Sequence, residues 1–154
     1  MPSENAHITL ALRNQQTLNY LLAEDSKHPE WIVTVAFYKA LHIVEALFAK
    51  DMPNLSHGRN HEAREKILKK NRPYSHIWHY YRDLWNASIV ARYFFDERQG
   101  VDGRGCFTDY MSVEAIRTEI LGNCLAQVQK SASKFLSTDV REMLAGSPPI
   151  PRSA

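Results

Sequence analysis

Apolar positions along this 154-residue chain recur mainly at helical spacing. Over residues 6 to 24, Ala11, Leu18, Leu21 and Leu22 gather on one side of a helical wheel while Asn14, Gln15 and Asn19 lie mostly on the other, which predicts a first amphipathic helix. Asp25 to His28 break the pattern, and Pro29, with its fixed φ and missing N–H, suits the first position of a second helix. From Pro29 to about Lys50, Trp31, Ile32, Val35, Ala36, Leu41, Ile43, Val44, Ala46, Leu47 and Phe48 cover much of the circumference, as in a central helix with several neighbours. Asp51 to Asn54 end it, and Asn60 is placed to cap a short charged helix over His61 to Lys70 that Asn71, Arg72 and Pro73 break. A third long helix is predicted from about Ser75 to Phe95, with Ile77, Tyr81, Leu84, Ser88, Ala91 and Phe95 as its stripe and Trp78 and Trp85 beside it.

The stretch DERQGVDGRG, residues 96 to 105, reads as a solvated loop. Ser112 is the expected N-cap of a fourth long helix with Ile116, Ile120, Cys124, Val128 and Phe135 on its apolar face, and Thr138 or Asp139 that of a final short one. No strand or internal repeat stands out. The expected fold class is therefore all-α: a single-domain bundle of four long helices plus one or two short helices over residues 1–145, followed by a disordered tail over 146–154.

Composition adds little to this picture and charge adds more. The 44% hydrophobic and 23% charged fractions are ordinary for a globular protein, and no uninterrupted apolar run reaches the roughly 18 residues that a bilayer crossing needs. No membrane association and a cytoplasmic location are expected, since the N-terminus has neither the basic start nor the apolar core of a secretory signal. Cys106 and Cys124 lie far apart without metal-type spacing and read as core or spare thiols. The net charge of +2 is too small to drive nucleic-acid binding by itself, but residues 57 to 72 hold six Lys and Arg against two Glu, which leaves the remainder of the chain negative.

The second helix, with Phe37, Tyr38, Ala40, Leu41, His42, Glu45, Ala46 and Leu47, resembles the aromatic, alanine and histidine signature of HEPN domains. Tyr81, Leu84, Ala91, Arg92 and Tyr93 resemble the second signature of that family, on a later helix, so the resemblance covers roughly residues 6 to 136. It implies a helical bundle, often dimeric, of the kind found in prokaryotic toxin–antitoxin and antiviral systems, where many members are metal-independent endoribonucleases. Those members carry an Arg followed, after four to six residues, by a His. Here Ser88 stands at the position of the Arg, and Tyr93, Phe94 and Phe95 at those of the His; Arg92 is followed by Asp96, Glu97 and Arg98. The resemblance thus carries the fold and not the catalytic pair.

Candidate chemistry gathers elsewhere. His57, Arg59, His61 and Arg64 combine imidazoles and guanidiniums around a predicted helix N-terminus, a combination suited to a phosphate; the alternative is a solvated loop whose histidines bond to nearby carbonyls. Lys66, Lys69, Lys70 and Arg92 extend the expected anion or RNA-binding set. His42 shares a helix face with Glu45 and Tyr38, either as a proton carrier beside that loop or as a buried structural histidine. Tyr38, Glu45 and Tyr93 are the expected supporting residues. Arg82 and Arg92 are expected to pair with carboxylates such as Glu45 or Asp83. Trp78, Tyr80, Tyr81, Trp85, Tyr93, Phe94 and Phe95 read as core or dimer face, with base stacking as the alternative. No metal and no cofactor are expected. The leading functional expectation is an RNA-binding or protein-interaction module, acting as a homodimer or with a partner protein. Two alternatives stand beside it: an endoribonuclease using His57, His61 and His42 with Arg59 and Arg64, and a purely structural subunit.

Overall fold

A computed structural model describes residues 2–51, 60–96 and 100–146. The architecture is all-α. Helix α1 (Glu4–Leu22) begins where the Ser3 hydroxyl accepts the Ala6 N–H at 3.2 Å, with Glu4 in the first turn. It packs along α2 (Pro29–Asp51) over much of its length, the most extensive helix pairing among the described residues. The α2 helix is buried on most sides and also contacts later helices. By length and composition it could cross a membrane, but 78% of its most apolar 18-residue stretch is packed inside the bundle, as for a core helix.

Two charged or polar devices set up the next elements. The Asn60 side chain accepts the Ala63 N–H at 2.9 Å and starts α3 (His61–Lys70), as its sequence position predicts. A 3-10 turn at Arg72–Tyr74 leads into α4 (Ser75–Tyr93), and the Tyr74 hydroxyl donates to the Asp51 carboxylate at the end of α2. The α4 helix lies against α2 and buries Ile77, Trp78, Tyr81, Leu84, Ala87, Ser88 and Val90. It ends at Phe94, whose φ of 49° is left-handed, a conformation that bulky side chains seldom adopt.

After α4 the expected loop contains a small antiparallel ribbon instead: β1 (Phe95–Asp96) pairs with β2 (Val101–Asp102), Phe95 opposite Asp102. Positive φ at Gly100 and Gly103 lets the backbone turn around it. Short helix α5 (Phe107–Tyr110) follows, and then α6 (Val113–Ala115), capped as expected by Ser112, whose hydroxyl accepts the Ala115 N–H at 3.1 Å. The fourth long helix is not a single α-helix. Its middle, Ile116–Leu125, is wound as a π-helix before α7 (Ala126–Ser133) resumes α geometry. The last helix, α8 (Thr138–Ala145), has Ser137 at its N-cap position, one residue before the expected Thr138. Ser137 makes no side-chain cap bond; its N–H and hydroxyl each donate to the Glu4 carboxylate at 2.7 Å, so the start of α1 and the start of α8 are joined.

Candidate functional site

Four helices converge on one cluster. The α2 helix contributes Tyr38, His42 and Glu45 at spacings of about one turn, α3 contributes His61 and Arg64, α4 contributes Tyr81, Trp85, Ser88 and Arg92, and α1 contributes His7. Glu45 is only 2% exposed, and its carboxylate accepts a hydrogen bond from Arg64 Nε. A carboxylate buried this deeply needs such a cation, because desolvation would otherwise outweigh the rest of its interactions. The ion pair therefore fixes α3 against α2, and the Asn60 cap fixes which residues of α3 face inward. One of them is His61. Its ring stacks on Trp85 at 5.2 Å between centroids with planes 22° apart, and approaches Phe37 at 5.5 Å. Its Nδ1 is buried without a hydrogen-bond partner among the described residues, and so is the hydroxyl of the fully buried Tyr81.

Electrostatically these groups form a unit. Burial holds the His42 imidazole below its usual range, with Arg64 pushing the same way and Glu45 opposing. Burial also lowers His61, reinforced by Arg64 and Arg92. The Tyr81 phenol is pushed well above its usual value, chiefly by burial, against the pull of Arg64 and Arg92. At neutral pH both imidazoles are thus uncharged, able to accept a proton or a hydrogen bond, and the tyrosine remains a donor.

Arg92 departs from expectation. Glu45 is taken by Arg64, Asp83 by Arg82 at 3.3 Å, and Arg92 meets no carboxylate among the described residues. Instead its side chain folds back one turn along α4, with Nε donating to the Ser88 carbonyl at 3.2 Å and Nη2 to the Ser88 hydroxyl at 3.3 Å. Its guanidinium carbon lies 5.7 Å from the Phe37 ring, 5.9 Å from Tyr38 and 5.2 Å from Tyr93, within cation–π range of all three. Ser88, fully buried, is therefore the seat of this arginine. Of a guanidinium's five donors two point at Ser88, and what remains is a half-buried positive charge in whose field His61 lies.

The other expected site residues are spread differently. His57 and Arg59 lie outside the described residues. Lys66 pairs with Glu62 at 2.8 Å and Lys69 with Glu65, both one turn apart on the surface of α3, while Lys70 is exposed. Such exposed pairs contribute little to stability and leave the lysines available to solvent and solutes. Among the aromatic set Trp78 and Tyr81 are core, Tyr80, Trp85 and Phe94 are half-buried, and Tyr93 is exposed beside Arg92; the Phe95 side chain lies outside the described residues. Among the described residues, no group of three or more His, Cys, Asp or Glu is arranged to hold a metal ion.

Two further groups stand outside the expected set. His7 brings its Nδ1 to 3.4 Å from that of His42, and Lys39 is buried at the centre of the bundle. Each carries a signal in the sequence: His7 lies one turn from Ala11 on the apolar side of α1, and Lys39 falls among apolar residues in the middle of α2. Compared with family models, with curated proteins and with solved structures, the chain shows no match.

Proposed function

We propose that this chain is a HEPN-like bundle that binds the phosphate backbone of single-stranded RNA where α2, α3 and α4 meet, with Arg92 as the anion contact and His61, Tyr38 and Tyr93 beside it. The observation that carries the reading is the state of Arg92: half-buried, held by Ser88 and three aromatic rings, and without a carboxylate among the described residues. A positive charge kept partly out of water gains more from an arriving phosphate than a solvated surface lysine does. The exposed ring of Tyr93 offers a face on which an unpaired base stacks, and the lysines of α3 supply the longer-range field. The resemblance of α2 and α4 to the HEPN signatures points to the same class of ligand.

A second reading, RNA cleavage, is favoured by one observation: His42 and His61 both sit below the usual imidazole range in the field of Arg64, and neutral imidazoles are what proton abstraction from a ribose hydroxyl requires. One experiment addresses both. Fluorescence anisotropy with an unstructured oligoribonucleotide at low and moderate salt should give salt-sensitive binding, and Arg92→Ala should weaken it by about 1–3 kcal/mol while lowering the salt slope by about one charge. Gel analysis of the same samples reads cleavage, which His61→Ala should abolish if the second reading holds. Wild-type protein without RNA affinity at low salt would sink both readings. Association with a partner protein through the exposed Tyr20 and Trp31 would then be the surviving reading.

A further inference from the structure

We propose that His7 and His42 together form a binding site for a divalent transition metal with the tetrahedral preference of zinc, bridging α1 and α2 at the edge of the cluster. The rings come from residues 35 apart in sequence, yet their Nδ1 atoms face each other at 3.4 Å, with ring centroids 5.6 Å apart and planes tilted by 31°. Two imidazole nitrogens that face each other need something positive between them, either one proton or one metal ion. As a hydrogen bond the contact is long, since N–H donors usually sit about 2.7–3.2 Å from their acceptors. As a ligand pair it fits: two zinc–nitrogen bonds of about 2.0–2.1 Å at a tetrahedral angle place the nitrogens about 3.3–3.4 Å apart. Adjacent ligands of a square-planar ion with bonds of similar length would stand closer, at about 2.9 Å.

The surroundings suit the same ion. His7 is only 7% exposed and His42 is half-buried, so the rings are held by packing and not free to turn away. The charges acting on His42 are Glu45 and Arg64, which are bonded to each other, so the cation that would repel a metal is offset by its own carboxylate. No third His, Cys, Asp or Glu completes the set among the described residues, which leaves the remaining positions to water. Affinity should therefore fall short of that of a four-ligand structural site. The site is independent of the Arg92 anion contact, and its test does not involve RNA.

The test titrates the full chain with Zn²⁺ against a competing chromophoric chelator and follows the ring nitrogens of every histidine by NMR. The expected result is that the His7 and His42 ring signals move together with the first equivalent. His7→Asn and His42→Ala should each weaken binding about a hundredfold, one ligand's share of a multi-ligand site. Changing His76 and His79, exposed and one turn apart on α4, should leave it unchanged. The proposal is overturned if the His7 and His42 signals stay in place at saturating Zn²⁺, with one Nδ1 proton still shared between them, or if zinc is taken up only by His76 and His79. Because the ring spectra are recorded on the unaltered protein, they decide the matter even where a variant fails to fold.

Discussion

Lys39 is 2% exposed, and its ammonium is held by two neutral amides, Gln15 Oε1 at 2.6 Å from α1 and Gln129 Oε1 at 2.8 Å from α7. Gln15 is itself oriented by Asn19 at 2.8 Å. Amide oxygens solvate a cation less well than water does, and burial pushes the Lys39 pKa down from 10.5 to about 8. A shift of that size corresponds to roughly 3 kcal/mol between the charged and neutral forms. Folding thus favours the neutral amine. The unfolded chain binds the extra proton between the two values, so this contribution to stability grows as pH rises from about 8 towards 10.5. Urea unfolding at pH 7 and pH 9.5 should show that growth, and Lys39→Met should abolish it; an identical pH slope in the variant would contradict the assignment. The sequence shows an out-of-place lysine here but not its partners, because Gln129 lies 90 residues away. Arg92 escapes a sequence reading for a related reason: the carboxylate offered to it on α2 is already claimed by Arg64 from α3, a competition that only the tertiary arrangement decides.

At the level of elements, the punctuation of the chain is legible. Pro29, Asn60 and Ser112 begin helices where their local chemistry says they should, since a cap involves only a few neighbouring residues. The π winding of Ile116–Leu125 is harder to see: the expected stripe of Ile116, Ile120, Cys124 and Val128 steps by four each time. A four-residue step is longer than the 3.6-residue turn of an α-helix and shorter than the wider i→i+5 turn, so the spacing fits neither winding better and does not announce the π segment. Leu121 and Leu125 are buried as well, a second apolar row beside that stripe. Gly122 provides a direct check. A Cβ added there would lie 3.0 Å from the Arg117 carbonyl oxygen. Exchanging a mid-helix Gly for Ala ordinarily stabilises by about 0.5–1 kcal/mol; Gly122→Ala should give no such gain. A denaturation midpoint raised by the full amount would mean that this segment is α-wound in solution.

For the whole molecule, the two sequence patterns on which the proposed family likeness rests lie on α2 and α4, which pack directly against each other with Phe37 and Tyr81 5.6 Å apart. That pairing brings His42, His61 and Arg92 into one neighbourhood although they are spread over three helices. The bond between Glu4 and Ser137 bears on time as well as on structure. It spans 133 residues, and ordering so long a loop is entropically costly unless most of the intervening chain is already folded. The clasp should therefore form after the transition state, and Glu4→Gln should speed unfolding while leaving the refolding rate nearly unchanged. Stopped-flow measurements of both limbs would show it; slower refolding of the variant would place the contact in the nucleus instead. Glu4 thus acts as a latch whose removal shortens the lifetime of the native state without delaying its arrival.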